Sequence, residues 1–350
     1  MYLNFLKKIV SLNWGYLMQS REISNTFYTI RFFALVSIVL AHSTFYQIPN
    51  EFVVKILHAY GRCGVVVFFI ASGYYFNPRR YSNIFKMLKD KTSIIIPWIL
   101  WGIVSYCLRF VREPFYVKPF EIITYILGWG TYFWFLTIWI ILLCIFQIIP
   151  NNKYLLLGFI AINIFSVFLT SNNIGLFKAL QVGSKNTIYL DTYLNIFNWV
   201  GFFSGGILLK QLEFFEKFGG SFYGRNKWIV LLLIPILFAM IIIEKEPSYW
   251  TYYSIFIEIS LFIILLVFSM NIMNIKVLKE IGSISFPIYL LHMQIQGFIF
   301  NKILPTSIIM GCLRPIITVL SIYYMLHLGL FISKKINLEK GYRVLFGLKD

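Results

Sequence analysis

The chain has 350 residues and a formal net charge of +17, and 59% of its residues are hydrophobic while only 13% are charged. A mean hydropathy of +0.75 is too high for a soluble domain of this length, so the composition indicates a polytopic membrane protein. No soluble segment could present the positive charge to nucleic acid, which is excluded as a partner, and the charge instead fits a topology signal and contact with anionic membrane lipids.

The chain begins with a segment, residues 1–25, that carries Lys7 and Lys8 and lacks the small-residue cleavage site of a signal peptide. We expect this segment to lie at the membrane interface. Hydrophobic runs long enough to cross a bilayer follow at 26–46, 55–76, 92–111, 131–149, 154–170, 192–210, 228–244, 251–271, 284–303 and 307–333. The sequence therefore predicts an all-α polytopic membrane protein with about ten transmembrane helices over 26–333 and a cytoplasmic tail at 334–350.

The lysines and arginines are distributed unevenly between the connections of this predicted bundle. If the N-terminus is cytoplasmic, 20 of the 31 lie in cytoplasmic segments and 8 outside, while Arg31, Arg62 and Arg314 lie within spans. Because cytoplasmic loops carry the excess of lysine and arginine, this pattern predicts an N-in, C-in topology. We expect a multi-pass protein of the plasma (inner) membrane.

The first predicted span carries two ionisable side chains, Arg31 and His42, with ten uncharged residues between them. At about 100° and 1.5 Å per residue, eleven steps come to about 1,100°, or three turns plus about 20°, and to a rise of about 16 Å. The two side chains therefore share one helix face. Such residues usually face a protein interior or a water-filled cavity and are functional candidates, although each could also snorkel to the nearer headgroups.

Further ionisable residues are embedded near the outer side or the middle of the predicted spans. They are His58, Arg62, Glu258, His292 and Arg314. Among the histidines, His42 is the candidate general base, because a near-neutral imidazole can take a hydroxyl proton and return it. Glu258 either orients one of the arginines or forms a buried structural ion pair with Arg62 or Arg314. His58 and Arg62, four residues apart, also fit interfacial anchors.

The connection at 77–91, NPRRYSNIFKMLKDK, is the strongest basic cluster between two spans. Its basic residues are Arg79, Arg80, Lys86, Lys89 and Lys91. Lysines and arginines bind phosphates by charge and by forked hydrogen bonds, although a topology signal with lipid contact explains the cluster too. In the predicted topology Arg31 and this loop lie towards the cytoplasm and His42 towards the outer side. The gap that separates them from His42 is roughly the length of an extended phosphopantetheine arm. We therefore interpret the loop as a candidate phosphate site for acyl-CoA.

The four cysteines, Cys63, Cys107, Cys144 and Cys312, each lie in an apolar stretch and form no CxxC pair. This pattern is typical of small core residues and not of disulfide partners or metal ligands. No metal site is predicted.

Several short motifs follow the Arg-X10-His spacing of Arg31 and His42 in order along the chain. They are GVVVFFIASGYYF at 64–76 with Gly64, Phe68, Phe69, Ser72 and Gly73, IIPWILW at 95–101, FWFL at 133–136, an F-x-x-G context at Gly205, ISFPIYLLH at 284–292, and the closing LFGLKD. This ordered set resembles the integral-membrane acyltransferase-3 family, which O-acylates cell-surface polysaccharides and related glycans. The resemblance covers nearly the full length and agrees with ten helices.

The resemblance implies that Arg31 and His42 are essential for acyl transfer. Two departures stand out. Tyr28 occupies the position, three residues before the arginine, where the family often has an acidic residue. Asp90 and Ser93 replace an arginine pair that usually precedes the third helix, although Lys86, Lys89 and Lys91 lie nearby and lysine can serve as a point charge.

We therefore hypothesise a membrane O-acyltransferase that moves an acyl group, with acetyl favoured, from acyl-CoA to a hydroxyl of a cell-surface glycan or a lipid-linked saccharide. His42 would activate the hydroxyl, Arg31 and the 79–91 basic residues would hold the donor, and Ser72, Arg62, Glu258, His292 and Arg314 would support the site. A homodimer is left open. Two alternatives remain: a proton-coupled transporter or flippase of a saccharide or small solute, and a non-catalytic membrane partner in polysaccharide assembly.

Overall fold

The computed structural model describes residues 20–42, 51–112, 119–172, 192–217, 227–244, 248–297 and 308–348. These residues form helices and turns, with no strand among them. The helices are α1 (Ser20–Ala41), α2 (Glu51–Tyr75), α3 (Ile84–Asp90), α4 (Thr92–Arg112), α5 (Pro119–Ile126), α6 (Trp134–Ile148), α7 (Lys153–Ser171), α8 (Val200–Gln211), α9 (Lys227–Ile243), α10 (Ser254–Ile272), α11 (Lys276–Ser283), α12 (Ser285–Ile295), α13 (Ile308–Lys335) and α14 (Glu339–Phe346).

Each of the ten predicted spans overlaps one of these helices. Six of them, α1, α2, α4, α7, α10 and α13, have the length and hydropathy to cross a bilayer. The apolar helices α6 and α9 are shorter, and α8 and α12 have only 12 and 11 residues. The all-helical membrane fold is therefore confirmed, while the count of ten crossings and the N-in, C-in orientation stay predictions.

Two helices begin at other residues than the sequence predicts. Helix α1 begins at Ser20, so the predicted interfacial segment at 1–25 runs into a helix, and the rest of that segment lies outside the described residues. The predicted span at 192–210 starts with two 3-10 turns, and α8 begins only at Val200. Asn163 explains this late start, because its side-chain amide donates to the backbone oxygens of Phe197 and Asn198 at 3.2 and 2.6 Å and holds the chain in turns.

Close contacts at glycines bring α1, α2 and α8 together. A Cβ at Gly64 of α2 would lie 2.3 Å from the backbone oxygen of Ala34 in α1, and a Cβ at Gly73 would lie 2.0 Å from that of Phe203 in α8. Small residues permit this approach of helix backbones in a membrane protein. Ser37 adds a polar link, since its hydroxyl donates to the Tyr60 carbonyl and accepts from the Gly64 N–H at 2.8 Å.

The C-terminal helix α14 packs against α4 and α13. The indole of Trp101 donates to the Leu345 carbonyl at 3.1 Å, and the Tyr342 hydroxyl donates to the Leu326 carbonyl at 3.0 Å. Gly347 ends α14 with φ +64°, a conformation that favours glycine, beside the backbone oxygen of Ser93. The predicted tail at 334–350 is therefore helical and docked on the bundle over most of its described length.

Candidate active site

A cavity of about 950 Å³ opens at the C-terminal end of α1, and we call it the His42 cavity. Its polar lining includes His42, His58, Arg62, Ser105, Arg109 and Gln294. Its aromatic lining comes from Tyr125, Tyr132, Trp134, Phe135, Tyr193, Tyr249 and Tyr289. The His42 side chain therefore faces a protein interior with several hydrogen-bonding groups and flat rings.

His42 lies beside a second histidine, His292 of α12. The centroids of the two rings are 5.2 Å apart, and the Tyr132 ring lies 6.4 Å from that of His42 and 5.1 Å from that of His292. His292 is fully buried, and its Nδ1 contacts the backbone oxygen of Tyr289 at 2.5 Å. The sequence predicts both histidines as functional, and the structure places them in one cluster.

A second cavity, of about 510 Å³, surrounds Arg31 and is called the Arg31 cavity. Ser72 and Arg343 contribute to its lining, together with Tyr28 and His327. The Arg31 guanidinium carbon lies 5.9 Å from the centroid of the Tyr28 ring and 5.6 Å from that of the Tyr75 ring. Among the described residues no carboxylate pairs with Arg31, so two aromatic rings hold this cation in place.

The two cavities meet at two side chains. Phe135 of α6 and Tyr289 of α12 line both of them, and their ring centroids are 5.7 Å apart. The Tyr289 hydroxyl donates to the Tyr132 carbonyl, which fixes its ring at this position. Arg31 in the middle of α1 and His42 at the end of the same helix thus face adjacent spaces that are separated by two aromatic rings.

The interpretation of Glu258 as a possible partner of Arg62 is wrong. Arg62 instead forms a bidentate ion pair with Glu244, with N···O distances of 2.9 and 2.7 Å, and it also donates to the Ser248 carbonyl. Both partners are buried, and Thr251 donates to Glu244 at 2.6 Å. Arg62 therefore lines the His42 cavity with its charge neutralised by Glu244, and a buried charge needs such a partner.

Glu258 and Arg314 are both buried, but neither lines one of the two cavities. Glu258 of α10 lies beside α2, since the Cys63 thiol of α2 is 3.8 Å from the backbone oxygen of Glu258. The Oε1 atom of Glu258 accepts no hydrogen bond within the described chain. Their supporting roles stay predictions.

The five basic residues of the 77–91 connection line neither cavity. Asp90 forms ion pairs with two neighbouring cations, since Lys91 lies 2.9 Å and Arg80 3.4 Å from its carboxylate oxygens. The Tyr81 hydroxyl donates to Asp90 at 2.5 Å, and this bond, together with Lys91, lowers the pKa of the carboxyl to about 2. The connection is thus an ordered, exposed cluster outside the cavities.

Three residues that line the cavities, and one that pairs with a lining residue, are not among the sequence-predicted site residues. Glu244, the partner of Arg62, closes a predicted span, so a carboxylate after the run LLLIPILFAMIII is a signal that could have identified it. Tyr132 and Gln294 join across the His42 cavity, where the Gln294 amide lies 2.9 Å from the Tyr132 hydroxyl. Arg343 reaches the Arg31 cavity from α14, and nothing in the local sequence marks it.

The described chain is an apolar helical bundle that holds a histidine and an arginine in adjoining interior cavities, an arrangement typical of a membrane protein with a polar interior. A family model, that of the acyltransferase domain of the acyltransferase-3 family, matches residues 27–332. The chain belongs to this family, and it is a membrane acyltransferase in that general sense. Comparisons with curated proteins and with solved structures each found no match.

Proposed function

We propose that the chain is an O-acyltransferase that moves an acyl group, with acetyl favoured, from acyl-CoA to a hydroxyl of a cell-surface glycan or a lipid-linked saccharide. One observation carries this proposal. The Arg31 cavity and the His42 cavity adjoin at Phe135 and Tyr289, so a donor held at one can present its thioester to an alcohol held at the other. Positioning of this kind, together with a base, supplies much of the acceleration that a reactive thioester needs.

On the donor side, Arg31 would contact the carbonyl groups of the pantetheine arm or the phosphates. Among the described residues the Arg31 guanidinium contacts two aromatic rings and pairs with no carboxylate, so it keeps hydrogen-bond donors for an acceptor-rich ligand. The exposed residues Arg79, Arg80, Lys86 and Lys89, with the partly buried Lys91, would bind the phosphates of CoA beyond the cavity. Part of this binding would be offset by Asp90, which already pairs with Arg80 and Lys91.

On the acceptor side, the rings of the His42 cavity suit the flat faces of sugar rings, and its polar groups suit their hydroxyls. In the transfer step, His42 takes the proton of the acceptor hydroxyl while the oxygen of that hydroxyl attacks the thioester carbonyl carbon. The carbon–sulfur bond then breaks, and the CoA thiolate takes the proton from the His42 imidazolium. The products are an ester and free CoA, and no other reactant is consumed.

The function is tested with the full chain purified in detergent. Release of CoA thiol from acetyl-CoA is measured with a thiol reagent, with and without methyl glycosides as acceptors. We expect His42→Ala to lower the rate by about 100-fold or more, as loss of a general base does, while the thermal unfolding midpoint stays within a few degrees.

Two results would contradict the proposal. One is a rate of CoA release that is unchanged in His42→Ala. The other is proton-coupled saccharide uptake into liposomes that survives both His42→Ala and Arg31→Ala, which would favour the transporter alternative. If neither substitution changes acylation of the cell's surface glycans, the chain is a non-catalytic partner.

A further inference from the structure

We propose that His292 is a positioning residue that fixes the tautomer of His42 and stabilises its protonated form. The inference rests on the proposed function, since it gives a role to the group beside the proposed base. His292 is buried and lines neither cavity, whereas His42, whose ring centroid is 5.2 Å away, does line the His42 cavity. It therefore acts through His42 and does not touch the substrate.

The tautomer of His292 follows from its backbone contact. Its Nδ1 lies 2.5 Å from the backbone oxygen of Tyr289, and a carbonyl oxygen only accepts hydrogen bonds. Nδ1 therefore carries the proton. In the neutral ring, Nε2 then holds a lone pair and is a hydrogen-bond acceptor. This Nε2 is buried and has no hydrogen-bond partner in the described chain.

A buried acceptor without a partner costs free energy unless a donor can reach it. The nearest ring is that of His42, at a centroid distance of 5.2 Å. An N–H···N bond of about 3 Å between two imidazoles places their centroids about 5 Å apart. A small rotation of the His42 ring therefore brings one of its N–H groups to Nε2 of His292, and catalytic hydrogen bonds often tighten in this way when substrate binds.

This bond would determine what His42 can do. When one nitrogen of the neutral His42 ring donates to His292, the other nitrogen keeps its lone pair for the acceptor hydroxyl in the cavity. After His42 takes the hydroxyl proton, the same bond stabilises the imidazolium until the CoA thiolate removes that proton. The other titratable side chains that contact His292 in the described chain are Tyr132 and Tyr289, and neither is a base at neutral pH.

The test uses a readout that does not need the acyl transfer reaction. Diethyl pyrocarbonate acylates an unprotonated imidazole nitrogen, so the rate of its reaction with His42, followed by mass spectrometry of the full chain in detergent, reports the lone pair exposed to the cavity. The key variants are His292→Gln, which places an amide oxygen near the Nε2 position, and His292→Asn, which reaches only the Nδ1 position. His292→Phe removes all polarity. Ser269→Ala, in a buried position of α10 outside both cavities, is the control.

We expect His292→Asn and His292→Phe to slow the labelling of His42 and to lower kcat for CoA release by about 10- to 100-fold, with KM for acetyl-CoA unchanged. His292→Gln should restore much of both. The proposal is overturned if labelling of His42 is the same in the wild type and in His292→Asn. It is also overturned if His292→Gln is no better than His292→Asn at equal thermal midpoints. If labelling depends on His292 while the wild type releases no CoA, the positioning role stands and the proposed function falls.

Discussion

At the scale of single residues, Arg31 differs from the family pattern in the side chains that orient its guanidinium. Tyr28 lies three residues earlier in α1, where the family often has a carboxylate, and its ring faces the guanidinium together with that of Tyr75. A cation above an aromatic face gains about 0.5–2 kcal/mol, so a ring can orient the arginine without neutralising it. A carboxylate at this position would orient it too, as an i, i+3 ion pair.

We therefore expect Tyr28→Ala to raise KM for acetyl-CoA by about 3- to 10-fold, because it removes one of two aromatic contacts and loosens Arg31. Tyr28→Glu should stay within about 3-fold of the wild type. The measurement is steady-state CoA release at a series of acetyl-CoA concentrations. Equal kinetics for Tyr28→Ala and the wild type would show that Arg31 needs no aromatic neighbour at this position.

The residues that could be predicted from the sequence were those that break an apolar run. Arg31 and His42 stood out because nothing else in their span carries charge, and helix periodicity placed them on one face. The pairing of Arg62 with Glu244 could not be predicted, because it joins residues 182 positions apart and depends on how α2 packs beside the end of α9. Tyr132 could not be singled out because aromatic residues are common throughout this chain, and the FWFL motif at 133–136 contains Phe135 without indicating that it lines two cavities.

At the scale of helices, hydropathy was enough to find the apolar helices, six of which are long enough to cross a bilayer, whereas their ends and neighbours depend on tertiary contacts. The packing of α8 on α2 shows this most clearly. Gly205 and Gly206 are consecutive, and the sequence resemblance singles out Gly205. A Cβ at Gly206 would lie 2.0 Å from the Ile70 backbone oxygen, whereas a Cβ at Gly205 meets nothing within 4 Å. Only Gly206 is required by helix packing.

We expect Gly206→Ala to lower stability by about 1–3 kcal/mol, because α2 and α8 must move apart to accommodate the methyl group. Gly205→Ala is the matched control, and it should leave stability unchanged or raise it by up to about 1 kcal/mol through helix propensity. Thermal unfolding in detergent measures both. A loss of stability in Gly205→Ala that equals the loss in Gly206→Ala would contradict this packing.

The short connection around α3 makes the stability of the fold depend on pH. The pKa of Asp90 is lowered to about 2 by the Tyr81 hydroxyl and by Lys91. A carboxylate with a lowered pKa stabilises the fold at every pH above its ordinary value of about 4, and the effect is lost as the pH falls through about 2. The difference in thermal midpoint between the wild type and Asp90→Asn should therefore be constant from pH 7 to about pH 4 and shrink at pH 3. A difference that stays the same at pH 3 would exclude this contribution.

At the scale of the whole molecule, the proposed chemistry depends on which cavity faces the cytoplasm. Glu51 and Ser82 are exposed near opposite ends of α2, with Ser82 close to the basic connection. On a background without the four native cysteines, Glu51→Cys should react with a membrane-impermeant maleimide in intact spheroplasts. Ser82→Cys should react only after lysis. The reverse pattern would place the Arg31 cavity outside, where no cytosolic donor could reach it.

The two aromatic rings between the cavities also give an expectation for acyl chain length. A donor held at Arg31 must bring its thioester carbonyl to a hydroxyl near His42, so the acyl chain lies beside Phe135 and Tyr289. Phe135→Ala removes one of these rings and leaves room for more methylenes. Two additional methylenes correspond to about 1.6 kcal/mol of burial, so the ratio of kcat/KM for butyryl-CoA to that for acetyl-CoA should rise by about 10-fold. Ile141→Ala, on the same helix but outside both cavities, should leave this ratio unchanged, and an unchanged ratio in Phe135→Ala would show that the acyl chain takes another route.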